Sequence, residues 1–420
     1  MEDSLRRAGF RIVRWERGAD VMVVNGCAVT STAAGKTRHA VRSARRRNPR
    51  AFVVLAGCTA EPAASEDVEH LPVDLILPNS AKSRLADWLP DSLETADGAP
   101  RVVGGQPVVD GFTEPGTAFP GTRTRANLKI QEGCDCGCTY CIVPQVRGAP
   151  RSRSRDDVLR EADELLESGV KELVLTGVHT SLYQSEAGGL DELVRALLAR
   201  GDGYRIRLSS LEPGPGIRSL IDLMASESRL CRFLHLPVQH ADDGVLERMG
   251  RPVGFEEFAG LAVLAVERVP GVCIGTDVIV GFPGETDEEF EIGRHRLREL
   301  PLGLLHVFPF SRRPGTPAAS LSGQVEAAAM DRRRAAMLDV GRELTHAFAT
   351  AQTGHRATVL TERAEGLGVA SGWSDNYLHV TACAEVSAHA TRLGENQLVS
   401  VQLHEHEGKR RMRGTVLKID

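Results

Sequence analysis

The chain has 420 residues, 42% of them apolar and 25% charged. That is enough for two or three domains with a sizeable buried core, which excludes a disordered or low-complexity protein. No run of about 18 uninterrupted apolar residues occurs and Met1-Glu2-Asp3-Ser4-Leu5-Arg6-Arg7 lacks the apolar stretch of a secretory leader, so the expectation is a soluble, cytoplasmic chain with no membrane partner. The net charge of −5 gives no general basic coat for nucleic acid, although Arg42, Arg45, Arg46, Arg47 and Arg50 cluster locally.

The first apolar run, Val21-Met22-Val23-Val24, ends at Asn25-Gly26-Cys27. After an arginine-rich helical pattern, Phe52-Val53-Val54-Leu55 ends at Gly57-Cys58, and Val73-Asp74-Leu75-Ile76-Leu77 follows. These read as buried parallel strands of an α/β sheet domain over residues 1–93. Cys27 and Cys58 then lie just past the carboxyl ends of strands, where open α/β sheets gather ligands. Residues 94–122, rich in Gly, Pro and Thr, read as a linker.

From Asn127 a βα alternation resumes, with strands at Leu173-Val174-Leu175, Arg205-Ile206-Arg207-Leu208, Phe233-Leu234-His235-Leu236, Val278-Ile279-Val280 and Leu304-Leu305-His306-Val307. The pattern predicts a partial or full parallel (β/α) barrel over 123–352, with its chemistry at the carboxyl ends of the strands and a long helix from about Val325 to Gln352 closing it. Residues 353–420 change to short alternating segments such as Ala357-Thr358-Val359-Leu360 and Val399-Ser400-Val401-Gln402-Leu403. They predict a small antiparallel β-barrel of about five strands, a scaffold often used to hold nucleic acid.

Nine cysteines, four of them between Cys134 and Cys141, suit metal binding better than a secreted disulfide framework. Cys134, Cys138 and Cys141 follow a C-x3-C-x2-C spacing directly after the first predicted barrel strand. Three thiolates on one tight loop hold three irons of a cubane cluster and leave the fourth open to a ligand. Tetrahedral zinc is the competing occupant, but a structural zinc site usually draws its second ligand pair from farther along the chain. Cys136 is either a bystander or an alternative ligand. Cys231, Cys273 and Cys383, in apolar surroundings, read as small core residues.

That spacing, with Tyr140 before its last cysteine, resembles the radical S-adenosylmethionine superfamily. Over nearly the whole chain the sequence resembles the tRNA methylthiotransferases. In the first domain the likeness rests on Asn25-Gly26-Cys27-Ala28-Val29-Thr30 and Ala56-Gly57-Cys58. In the barrel it rests on Leu175-Thr176-Gly177-Val178-His179, on Arg207-Leu208-Ser209-Ser210-Leu211-Glu212-Pro213, on the segment from Gly275 to Thr286 and on Phe310-Ser311-Arg312-Arg313-Pro314-Gly315-Thr316. The Ser-Leu-Glu-Pro element points to the branch acting on N6-threonylcarbamoyladenosine.

The resemblance implies transfer of a methylthio group to C2 of that adenosine at position 37 of tRNA, by way of a 5′-deoxyadenosyl radical. It implies S-adenosyl-L-methionine, a reducing electron donor and two [4Fe–4S] clusters. One cluster would be held by Cys134, Cys138 and Cys141, and a second, the sulfur source, by Cys27 and Cys58. Tyr140, Gly177, His179, Glu212, Gln239 and Gly281 would contact the cofactor. The terminal barrel would be a TRAM-like RNA-binding domain whose Lys409, Arg410, Arg411 and Arg413 meet phosphates.

One segment departs from the pattern: His240-Ala241-Asp242 stands where the tRNA branch has Ser-Gly-Ser. It resembles the sister branch that modifies an aspartate of a ribosomal protein, which is therefore the alternative, beside a non-catalytic iron–sulfur RNA-binding protein. The first-domain cluster is also short of a ligand, because only Cys27 and Cys58 precede Cys134. Family members begin with a further strand ending in Gly-Cys, so the expectation is a gene product that starts upstream of Met1.

Overall fold

The computed structural model describes residues 1–61, 63, 68–90, 100–103, 124–384 and 393–419. The chain forms two compact units, one of Met1–Pro115, Glu132–Arg151 and Ser311–Leu321, the other of Gly116–Gln131, Ser152–Phe310 and Ser322–Asp420.

The first unit holds a parallel sheet of β1 (Val21–Gly26), β2 (Phe52–Gly57), β3 (Leu75–Leu77) and β4 (Arg101–Val102), in that order. Strand β2 is buried at every residue, as a central parallel strand covered on both faces must be, and its unbroken apolar sequence follows from that. The helix Ser31–Arg47 begins where the Thr30 hydroxyl accepts the Ala33 N–H at 3.1 Å, satisfying one of its open amides. Of the expected linker, residues 100–103 are described and the rest lies outside the described residues. Within the described part, Arg101 and Val102 join the sheet instead of linking.

The second unit contains six parallel strands: β5 (Arg125–Lys129), β6 (Glu172–Thr176), β7 (Arg205–Leu208), β8 (Phe233–His235), β9 (Cys273–Val280) and β10 (Leu304–Pro309). They form two three-stranded sheets, β7-β6-β5 and β8-β9-β10, joined by single bridges between Ile206 and Leu230 and between Ser210 and His235. No pairing joins β5 to β10 among the described residues, so the barrel is partial. The intervening helices turn apolar stripes to the strands; Leu190–Leu198 buries Leu190, Leu193, Val194, Leu197 and Leu198. The helix Asp287–Glu299 opens with a reciprocal cap, Thr286 accepting the Glu289 N–H at 3.1 Å and Glu289 accepting the Thr286 N–H at 2.9 Å.

The same unit ends in β11 (Arg356–Gly366), β12 (Val369–Ser374), β13 (His379–Cys383), β14 (Leu398–His406) and β15 (Arg411–Ile419), closed in the order β11-β12-β13-β15-β14. Five strands were expected, all antiparallel. The β13–β15 pair is instead parallel, because a closed ring with an odd number of strands cannot alternate direction all the way round.

This small barrel is fastened to the amino ends of the core strands. Glu172, fully buried at the start of β6, accepts from Arg205 Nε at 2.6 Å and from Arg207 Nε at 2.9 Å. The other arms of the two guanidiniums donate to main-chain carbonyls of the terminal barrel, Arg205 to Thr358 and Trp373 and Arg207 to Ser374 and Asp375. Arg232 adds an ion pair to Asp375 at 2.6 Å. Burial alone would raise the Glu172 carboxyl, but the two guanidiniums prevail and hold it at about 2.

Replacing Glu172 with Gln should therefore cost about 3–5 kcal/mol of stability, because it leaves two buried guanidiniums without their countercharge; chemical denaturation measures it. The folded value lies below the ordinary 4.5, so this contribution is full above pH 4.5 and is lost as pH falls towards about 2. Across that acid window wild-type stability should fall more steeply than that of Glu172→Gln.

Candidate functional site

In the first unit, the register of β1 on β2 pairs Gly26 with Gly57. The next residues, Cys27 and Cys58, therefore emerge side by side at the carboxyl edge of the sheet, Cys27 exposed and Cys58 buried. Gly57 turns the chain at φ +90°, where an added Cβ would strike the Asn25 side chain and the Gly26 carbonyl, so only glycine fits. Cys58 packs with Ala28, Ile142 and Val146. Its sulfur accepts from Arg147 Nε at 2.8 Å, while Arg147 Nη1 donates to Glu132 Oε2 at 2.9 Å. Burial pushes the Cys58 thiol up; Arg147 opposes that rise and neighbouring Cys27 adds to it.

Ile142, Val146 and Arg147 belong to the stretch just after the four-cysteine loop, so loop and sheet edge are packed in one unit. Cys134, Cys136, Cys138 and Cys141 are all partly exposed and none is in a disulfide. The loop is pinned by Cys134 N–H on the Gly148 carbonyl and Cys141 N–H on the Cys138 carbonyl, both 3.1 Å. Gly133, at φ +79°, has no room for a Cβ, which would overlap the Ala149 carbonyl. Main-chain N–H groups point at two sulfurs, Cys136 N to Cys134 Sγ at 3.5 Å and Val143 N to Cys141 Sγ at 3.4 Å. The second half of the Phe310–Thr316 motif and the residues beyond it brace the loop: Gln145 donates to the Gly315 carbonyl at 2.8 Å and Ala318 N–H to the Thr139 carbonyl at 2.9 Å. Tyr140 is half-buried there.

Accessible thiols on one loop, with N–H groups directed at sulfur, are a donor set that fits an iron–sulfur cluster, whose anionic sulfurs such bonds stabilise. At the sheet edge two thiols and a guanidinium meet, so the chain supplies two of the three protein thiolates such a cluster would take.

The second unit places the other expected residues at or near the carboxyl ends of its strands. Gly177 follows β6, and a Cβ there would lie 2.9 Å from Thr180 Cγ2 and 3.0 Å from Gln131 Oε1. Gln131, which the sequence did not single out, is fully buried, and its Oε1 accepts from Val178 N at 3.1 Å and His179 N at 2.8 Å. It shapes the turn that carries His179. Glu212 is ion-paired with Arg251, which also donates to the Pro237 carbonyl at 2.8 Å; burial raises its carboxyl against that charge. Gln239 holds a left-handed backbone at φ +76° while its amide and carbonyl bond to Asp277 and Ile279 of β9. Gly281, at φ +76° against Met330, gives its N–H to Glu285. That amide is therefore committed within the protein.

Glu285 also receives Arg333 Nη1 at 2.8 Å and lies 3.1 Å from His240 Nε2. The other His240 nitrogen accepts the Asp242 N–H at 3.0 Å, and Asp242 caps the helix Asp243–Arg248 through Val245 N at 3.1 Å. The departing His-Ala-Asp segment thus has a local role as a buried brace and a helix cap. Cys231 and Cys273 are core residues, as expected, their thiols pushed by burial to about 11 and about 12. Cys383 is only partly buried, on a terminal-barrel strand. Among the basic residues there, Arg410 lies over the rings of Trp373 and Tyr377 and Arg413 pairs with Glu407, while Lys409 and Arg411 are exposed. No helix among the described residues is long and apolar enough to cross a membrane.

The six-stranded core and the three-cysteine loop are the two parts that define a radical S-adenosylmethionine protein, and residues 128–292 match the family described as the Radical SAM superfamily. Residues 1–78 match the family described as Uncharacterized protein family UPF0004. The chain is 33% identical over 389 residues to the threonylcarbamoyladenosine tRNA methylthiotransferase MtaB of Bacillus subtilis, covering 89% of this chain and 84% of that one. It is 35% identical over 382 residues to the ribosomal protein uS12 methylthiotransferase RimO of Desulforudis audaxviator, covering 86% and 81%. Its fold is similar to that of the radical S-adenosylmethionine methyltransferase TsrM of Kitasatospora setae, with a TM-score of 0.55 at 20% identity over 75% of this chain and 70% of that one. The chain belongs to the radical S-adenosylmethionine methylthiotransferase family, and is thus an iron–sulfur enzyme that uses S-adenosylmethionine.

In cluster-free protein, Cys27 should alkylate readily and Cys58 only at higher pH. Arg147→Leu should push the Cys58 profile higher still. Mass-spectrometric labelling across a pH series reads both thiols in one sample.

Proposed function

We propose that the chain transfers a methylthio group to C2 of N6-threonylcarbamoyladenosine at position 37 of tRNA. The observation that carries this reading is the meeting of Cys27 and Cys58 at the sheet edge, in the same unit as the three-cysteine loop. A protein that only generated a radical would need one thiol site, whereas a sulfur donor needs a second. The similarity to MtaB of Bacillus subtilis supports the tRNA branch, while the similarity to RimO of Desulforudis audaxviator keeps the ribosomal-protein branch as the alternative.

On this reading residues 1–93 carry the sulfur-donating cluster, 123–352 the radical core and 353–420 the RNA grip. Cys134, Cys138 and Cys141 would hold one [4Fe–4S] cluster, the one that serves S-adenosylmethionine. The bound groups, with one electron from a reductant, supply the 5′-deoxyadenosyl radical and the sulfur. Cys27 and Cys58 hold the second cluster, and Arg147, donating to Cys58, offsets the negative charge that gathers on its sulfur. Tyr140, His179 and the Gln239 side chain contact the cofactor, and Glu212, fixed by Arg251, offers a carboxylate to its polar groups. Gly177 and Gly281 contribute through shape, by holding tight turns beside it. Lys409, Arg410, Arg411 and Arg413 meet phosphates of the tRNA.

Mass analysis of tRNA nucleosides from cells lacking the gene should show loss of the 2-methylthio derivative of N6-threonylcarbamoyladenosine, restored by the wild-type gene. Cys27→Ala and Cys58→Ala should fail to restore it although the purified variants still cleave S-adenosylmethionine; Cys134→Ala should lose both activities. Unchanged tRNA together with a missing methylthio group on a ribosomal-protein aspartate would move the chain to the sister branch.

A further inference from the structure

Three neighbouring core strands of the second unit bring together a group of metal-ligating side chains that includes no cysteine. His235 ends β8, Asp277 lies within β9 and His306 within β10. Asp277 pairs in register with His306, and His235 pairs with Gly275, two residues before Asp277. All three therefore share one face of the sheet. At the level of His306 the helix Ala327–Ala351 packs on the opposite face, through Leu305 against Gly341, and only its last turn reaches this face, through Phe348. The triad thus lines the inside of the partial barrel. Below it Phe233 and Leu304 form a buried apolar floor, with Tyr377 stacked on Phe233 at 4.6 Å.

Asp277 Oδ1 lies 3.1 Å from His235 Nε2 and 3.1 Å from His306 Nδ1. The three ligand atoms lie within 4.8 Å of one another. His235 is 7% exposed, and its Nε2 is set against the Asp277 carboxylate. Its other nitrogen is 2.8 Å from Ser210 Oγ, an outer contact of the kind that fixes the tautomer and orientation of a ligating imidazole. Both imidazoles converge on one carboxylate oxygen, and when their facing nitrogens carry lone pairs instead of protons the same three atoms are close enough to ligate one cation. Ligand atoms around a tetrahedral ion with bonds of about 2.0–2.1 Å stand about 3.3 Å apart, close to the two distances from Asp277.

We propose that His235 Nε2, Asp277 and His306 Nδ1 bind one divalent first-row transition metal ion inside the barrel, with a coordination position left open. Two imidazoles and a carboxylate form a nitrogen and oxygen set that suits zinc, iron(II) or manganese(II) better than a soft ion. Three protein ligands with a vacancy are the arrangement of an open site rather than a closed structural one. The site is independent of the substrate assigned above, since none of its residues is used in that reading.

The test adds zinc to the anaerobically reconstituted full chain, its cysteine clusters in place, and compares it with His306→Ala and Asp277→Asn. His306 is largely exposed, so its loss does not threaten the core. Wild type should bind about one zinc per chain and gain thermal stability with it. X-ray absorption at the zinc edge should show nitrogen and oxygen at about 2.0–2.1 Å and no sulfur. His306→Ala should melt like wild type without zinc and bind it at least about 10-fold more weakly. The proposal is overturned if wild type takes up no zinc, if the bound zinc has sulfur neighbours, or if both variants bind as tightly as wild type.

Discussion

A single carboxylate, Glu172, lies under the core strands and balances two buried guanidiniums whose remaining hydrogens are committed to another domain. Removing charges from water is costly, and the arrangement is tolerable only because every arm has an acceptor. The terminal barrel provides those acceptors from its own backbone. It is fixed at the amino ends of the strands, and their carboxyl ends are left for the turns carrying His179, Glu212, Gln239 and Gly281. Core and terminal barrel are consequently not separable modules: deleting residues 353–420 would strip Arg205, Arg207 and Arg232 of partners as well as removing any RNA contact.

A different constraint governs the first unit. Parallel strands in register end at the same height, so the two cysteines that follow β1 and β2 have to meet. Their sulfurs would repel once ionised, and the guanidinium of Arg147 stands where it offsets that charge. The arginine comes from the helix after the four-cysteine loop, and this ties the two thiol-bearing segments into one electrostatic and packing arrangement.

Much of this was legible in the sequence because it rests on local pattern. Apolar runs ending in Gly-Cys announce strands that stop at a thiol, and the closely spaced cysteines announce a ligand loop. What escaped depends on partners far apart in the chain. Arg147 lies 89 residues from Cys58, and nothing in its neighbourhood marks it; Gln131 and Glu172 are ordinary polar residues until burial gives them weight. His240-Ala241-Asp242 was legible as a departure but not as a buried histidine on Glu285 followed by a helix cap, since residue identity does not reveal burial. The parallel pair in the terminal barrel follows from closure, a property of the whole ring that no single strand carries.

Gln239 keeps a left-handed backbone in a place where the chain pays for having a side chain at all. For a residue other than glycine that conformation costs roughly 1–2 kcal/mol, and both main-chain groups of Gln239 are already used by β9. Glycine would satisfy the same two bonds without the strain. If Gln239 serves the cofactor as proposed, stability and function pull in opposite directions here: a search for stabilising substitutions would select glycine at 239, and would discard its side-chain amide.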